Sequence, residues 1–142
     1  MGFRLGLVQV ILLAVVAGLS QDCSALRSLG TSLKMNIGTD PNTMNELNND
    51  CCTATGITCN WIAGVQRVTK IAWQDFGLTG TFSPNIFRNM QSIISIDISK
   101  NAITGTLPVG LPESLISLNL GGNLLSGIIP TSWPSELSEL VI

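Results

Sequence analysis

Residues 93–108 read Ile93-Ile94-Ser95-Ile96-Asp97-Ile98-Ser99-Lys100-Asn101-Ala102-Ile103-Thr104-Gly105-Thr106-Leu107-Pro108. Residues 115–130 read Leu115-Ile116-Ser117-Leu118-Asn119-Leu120-Gly121-Gly122-Asn123-Leu124-Leu125-Ser126-Gly127-Ile128-Ile129-Pro130. Laid over each other at an offset of 22 residues, the aliphatic, Asn, Gly and Pro landmarks recur, and Leu111-Pro112 is matched by Trp133-Pro134. A fixed period in the low twenties marks a chain that coils and stacks upon itself.

Each landmark has a physical reason. In Ile96/Ile98 and Leu118/Leu120 alternate side chains point one way, as a strand requires, so successive coils pair short parallel strands into a concave sheet. Asn101 and Asn123 follow the strand where the chain bends inward; their amides can pair with backbone groups that would otherwise lie buried and unpaired, at about 1–3 kcal/mol each. Gly105 and Gly127 permit the next bend, and Pro108 and Pro130 fix φ on the return path. Working outward, an earlier repeat keeps Val68, Ile71, Trp73, Leu78, Gly80 and Phe82 but has Phe76 in place of Asn and Ser83 in place of Pro, and runs 25 residues to the next. Phe76 has no amide to join the ladder, so this coil is expected to lean on the segment before it. A fourth repeat begins with Leu137, Leu140 and Ile142.

The spacing L-x-x-L-x-L-x-x-N-x-L-x-G-x-I-P resembles the plant-type leucine-rich repeat, and the likeness extends over about residues 22–142. It implies an α/β leucine-rich-repeat solenoid with a parallel concave β-sheet and a disulfide-stapled N-terminal helical cap. It also implies a non-enzymatic protein-recognition module, as in receptor-kinase ectodomains. Secreted inhibitors of cell-wall hydrolases, such as polygalacturonase inhibitors, share this look, and a wall-associated or self-associating protein is a further alternative. Because the chain stops part-way through a repeat on apolar residues, it is expected to be a fragment, or else to self-associate through an uncapped edge.

The N-terminus sets the compartment. Met1 to Arg4 carries one positive charge, Leu5 to Leu19 is almost wholly apolar, and Gly18 and Ser20 stand at −3 and −1 of a cut before Gln21. This has the form of a secretory signal peptide, and its apolar run of about 15 residues is short for a ~30 Å hydrocarbon core. The chain divides into a leader (1–20), a cap (21–67) and repeats (68–142). In a secreted chain, Cys23, Cys51, Cys52 and Cys59 read as two disulfides. Adjacent Cys51 and Cys52 are poor partners for each other, which leaves two pairings, and they are also poorly spaced to hold a metal. The family resemblance, carried by Asp50-Cys51-Cys52 and Gly56-Ile57-Thr58-Cys59, implies Cys23–Cys51 and Cys52–Cys59. Leu26, Leu29 and Leu33 fall at helical spacing, with Asp22 or Ser24 as helix cap. Residues 36–50 read as loop, with one helical turn around Met44–Leu47. The family's cap Trp is missing from Thr53-Ala54-Thr55, and the nearest Trp after the cysteines is Trp61.

Composition excludes much else. There is no histidine and no tyrosine, and the net charge is −2. Ser/His and Cys/His catalysis and a nucleic-acid footprint are therefore unsupported, and no cofactor or metal is expected. Strand alternation assigns outward positions on the concave sheet: Thr69, Lys70, Ala72, Gln74 and Asp75, then Ile94, Ser95, Asp97, Ser99 and Lys100, then Ile116, Ser117, Asn119, Gly121 and Gly122, then Ser138, Glu139 and Val141. Among these, Lys70, Gln74, Asp75, Ser95, Asp97, Ser99, Lys100, Ser117 and Asn119 are the candidates for contacting a protein or peptide partner.

Overall fold

A computed structural model describes Leu19, residues 21–35 and residues 50–142. The expected leader and cut, and the turn around Met44–Leu47, lie outside the described residues. Helix α1, seen over residues 21–32, and the turn that follows it present Leu26, Leu29 and Leu33 to the interior, all fully buried. Each contributes about 1.5–3 kcal/mol of hydrophobic stabilisation. Neither Asp22 nor Ser24 caps this helix, because the helical residues begin upstream of both. The Asp22 carboxylate is drawn inward instead. Its two oxygens accept from Nε and Nη2 of Arg67 at 2.8 and 2.9 Å, and one also accepts from the Val68 N–H at 3.0 Å. The hydrogen bond to Asp22, reinforced by charge attraction and opposed by burial, raises the Arg67 pKa above its ordinary value.

A short 3-10 helix, Cys51–Thr53, follows, with Asp50 accepting from the Cys52 N–H. The disulfides are Cys23–Cys51 and Cys52–Cys59, as the family resemblance implies. Strand β1 (Ile57–Ile62) then turns back through Ala63 and Gly64 to pair antiparallel with β2 (Val65–Ala72). Both turn residues have positive φ, 49° and 76°, as a two-residue turn matched to strand twist demands. This hairpin crosses the expected boundary at residue 67, so cap and first coil share a strand. It also covers what would be a free sheet edge at β2.

From β2 onward pairing is parallel. β3 (Ser95–Asp97), β5 (Ser117–Asn119) and β7 (Glu139–Val141) complete a five-stranded sheet in the order β1-β2-β3-β5-β7. On the other side of the coil, β4 (Thr104–Gly105) and β6 (Leu124–Leu125) form a second short ladder. Gly105 and Gly127 turn beside it at φ 86° and 96°, where a side chain would be strained. The inward rows Val68-Ile71-Trp73-Leu78, Ile93-Ile96-Ile98-Ile103 and Leu115-Leu118-Leu120 are all buried.

Two departures from the repeat are resolved by particular atoms. The coil at Phe76, which has no amide of its own, is still joined to the ladder from the next coil: Asn101 Oδ1 accepts from the Phe76 and Leu78 N–H groups at 3.0 and 2.9 Å. Its Nδ2 donates to the carbonyls of Trp73, Ile98 and Ser99. The first coil thus relies on Asn101 as well as on the cap. The missing cap Trp is answered by Trp73, which is fully buried and donates its indole N–H to the Thr55 carbonyl at 3.1 Å, while Trp61 remains 70% exposed. Gly56 sits at φ 77° with its α-carbon against the Ala72 carbonyl and the Trp73 ring, leaving no room for a Cβ.

Candidate ligand-binding groove

Strand pairing puts residues of successive coils side by side. One row runs Lys70, Ser95, Ser117, Glu139 and the next runs Ala72, Asp97, Asn119, Val141. Their alternation with buried Ile71, Ile96 and Leu118, and with Leu140 at the exposed end of the same row, means that these side chains leave the core on the concave side. Together with Gln74 they line an open groove of about 450 Å³. Neighbouring strands stand about 4.8 Å apart, so the three steps from β2 to β7 span about 14 Å.

Six of the nine candidate residues meet there: Lys70, Gln74, Ser95, Asp97, Ser117 and Asn119. Three do not. Ser99 is only 4% exposed, and its hydroxyl donates to Asp97 Oδ1 at 2.6 Å while its backbone N–H donates to the same oxygen at 3.0 Å. Strand β3 ends at Asp97, so the two-residue alternation that placed Ser99 outward no longer applies. Asp75 and Lys100 are exposed but stand beyond the groove, on left-handed backbone at φ 57° and 55°. The third coil has Gly122 at the same corner, φ 71°. Thr69, an outward position by alternation, is 3% exposed and donates to the Thr58 carbonyl at 3.3 Å; a bulge opposite Thr58/Cys59 shifts the phase of the strand there. Glu139 belongs to the groove but was absent from the nine candidates. Its position 22 residues after Ser117 was the available signal, and Ser117 Oγ donates to its Oε2 at 2.8 Å.

The groove differs from the coil interior in its bonding. Inside, Asn101 and Asn123 use both amide atoms on the backbone: Asn123 accepts from Ile103 N–H and donates to the Ile98 and Leu120 carbonyls. In the groove, the side chains of Lys70, Gln74 and Ser95 make no hydrogen bond or ion pair among the described residues. Asn119 uses only Oδ1, accepting from Gly121 N–H, and Asp97 uses only Oδ1. Donors and acceptors therefore stand open in three successive coils. They supply hydrogen bonding and charge.

The leucine-rich-repeat family model matches residues 114–135. The ectodomain of the receptor kinase SOBIR1 from Arabidopsis thaliana superposes with a TM-score of 0.69 at 27% identity, over 86% of this chain and 65% of that one. The chain is a plant-type leucine-rich-repeat solenoid. The BIR2 ectodomain from Arabidopsis thaliana matches this solenoid with a TM-score of 0.61 at 33% identity, over 77% of the chain and 58% of that one. A structure of the Arabidopsis receptor kinase HAESA in complex with the peptide hormone IDA and the co-receptor SERK1 matches with a TM-score of 0.68 at 30% identity, over 86% of the chain and 21% of that one. The solenoid thus spans less than two thirds of the length of each of these three.

Proposed function

We propose that this solenoid is a non-enzymatic extracellular recognition module, delivered by a leader cut before Gln21, whose concave groove seats an extended peptide segment across the strands. The observation that carries this reading is that Lys70, Gln74 and Ser95, whose side chains make no hydrogen bond among the described residues, gather in one groove with Asn119, whose amide nitrogen is also without a partner there. A peptide rises about 3.3 Å per residue when extended, so about four residues cover the ~14 Å from β2 to β7. The charge order gives the peptide a direction. Lys70 receives an acidic group at the β2 end, and Asp97 and Glu139 receive a basic group toward β7. The HAESA complex, in which a solved relative is held with a peptide hormone, favours a peptide over a small metabolite. Asp75, Lys100 and Ser99 have no part in this reading.

The test is retention of peptides from an extracellular fraction on the immobilised secreted chain, followed by titration of the retained peptide in synthetic form. Tight binding by the wild type and loss of binding by Lys70→Glu support the groove. Equal binding by both contradicts it. Retention of a pectin-degrading enzyme with inhibition of its activity, and of no peptide, would replace this reading with that of a hydrolase inhibitor.

A further inference from the structure

We propose that Gln21 becomes the first residue of the mature chain and is converted there to pyroglutamate. The inference rests on the reading that a leader is removed before Gln21. Three observations then converge on one residue. The Gln21 side chain is exposed and its amide makes no hydrogen bond among the described residues, so it is free to fold back on its own backbone nitrogen. The chain immediately after it cannot move away: Asp22 is buried and bonded to Arg67 and to the Val68 N–H, and Cys23 is disulfide-bonded to Cys51. Position 21 therefore stays at the protein surface at the head of the cut helix.

The third observation is steric. A five-membered lactam closes on the backbone nitrogen as the proline ring does, and the first turn of a helix tolerates such a ring because its nitrogen has no intrahelical acceptor to reach. The ring fits where Gln21 would then start α1. The step is balanced without any oxidant or co-reactant. The unprotonated α-amine attacks Cδ of the Gln21 side-chain amide, a C–N bond forms, the bond from Cδ to the amide nitrogen breaks, and ammonia leaves. The product is lighter by one ammonia and lacks the α-amino charge. That charge would otherwise face the positive end of the helix dipole, and Asp22, already engaged by Arg67, offers it no counterion. The lactam also leaves no α-amine for an aminopeptidase.

The experiment is intact-mass measurement and N-terminal sequencing of the 142-residue chain after secretion from a eukaryotic host. The expected result is the mass of residues 21–142 with two disulfides less one ammonia, a chain blocked to stepwise sequencing, and a readable start at Asp22 after treatment with pyroglutamyl aminopeptidase. A secreted Gln21→Ser variant should read freely from residue 21. A wild-type chain that reads directly from Gln21 at full mass overturns the lactam and leaves the leader reading intact. A chain that begins at any other residue overturns both.

Discussion

The cap and the later coils are joined by different kinds of contact. From cap to first coil each tie occurs once: Asp22 with Arg67 and Val68, the Trp73 indole with Thr55, and Ser32 Oγ donating to the Thr81 carbonyl. Between the later coils the ties recur. Ile94, Ile116 and Ser138 donate in turn to Thr69, Ile94 and Ile116, and Thr104 and Ser126 donate to Gly80 and Gly105. The repeated part is specified by a pattern and the cap by individual residues. The coil at β2 belongs to both regimes, because it receives the cap from one side and Asn101 from the other.

Substitutions can break this comparison at graded cost. The largest effect is expected for Asn101→Ala. It removes bonds to two N–H groups and three carbonyls, and at about 1–3 kcal/mol for each buried group left unpaired, partly recovered by water, the loss is about 4 kcal/mol in urea unfolding. Asn123→Ala removes bonds to one N–H and two carbonyls and should cost about half as much. Equal losses would show that Phe76 imposes no extra duty on Asn101.

Opening Cys23–Cys51 by a double Ala substitution releases a loop with a sequence separation of 28 and should cost about 3.6 kcal/mol by loop entropy. The Cys52–Cys59 pair, with a separation of 7, should cost about 2.5 kcal/mol. Asp22→Ala strands Arg67 and the Val68 N–H. It is expected to cost about 3 kcal/mol, the low end for breaking a buried pair because Arg67 keeps some access to water. A midpoint unchanged by Asp22→Ala would show that the cap is held by its disulfides and apolar stripe alone. The smallest stability effects are expected in the groove. Lys70→Ala and Ser95→Ala should stay within about 0.5 kcal/mol of wild type, since surface side chains without partners hold nothing together.

The same contrast explains what the sequence could reveal. The 22-residue offset gave the strand register directly, because Ser95, Ser117 and Glu139 pair at that spacing, and the 25-residue first repeat gave Lys70 opposite Ser95. The buried rows and most of the groove followed from it by alternation. Contacts that occur once leave no such trace. Asp22 finds Arg67 across 45 residues, with no local motif to announce it. The β1–β2 hairpin turns on Ala63-Gly64, in which Ala63 takes a left-handed φ without the Asn-Gly or Asp-Gly pair that signals such turns. Ser99 was misplaced because alternation holds only as long as the strand does, and β3 has three residues.

The central claim is that the concave groove carries side chains surplus to folding and committed to a ligand. Calorimetric titration of wild type and Lys70→Glu with the peptide retained by the wild-type chain tests it most directly. The account predicts binding weakened by at least about tenfold, equivalent to about 1.4 kcal/mol, at an unchanged unfolding midpoint. The same dissociation constant for both proteins would contradict it.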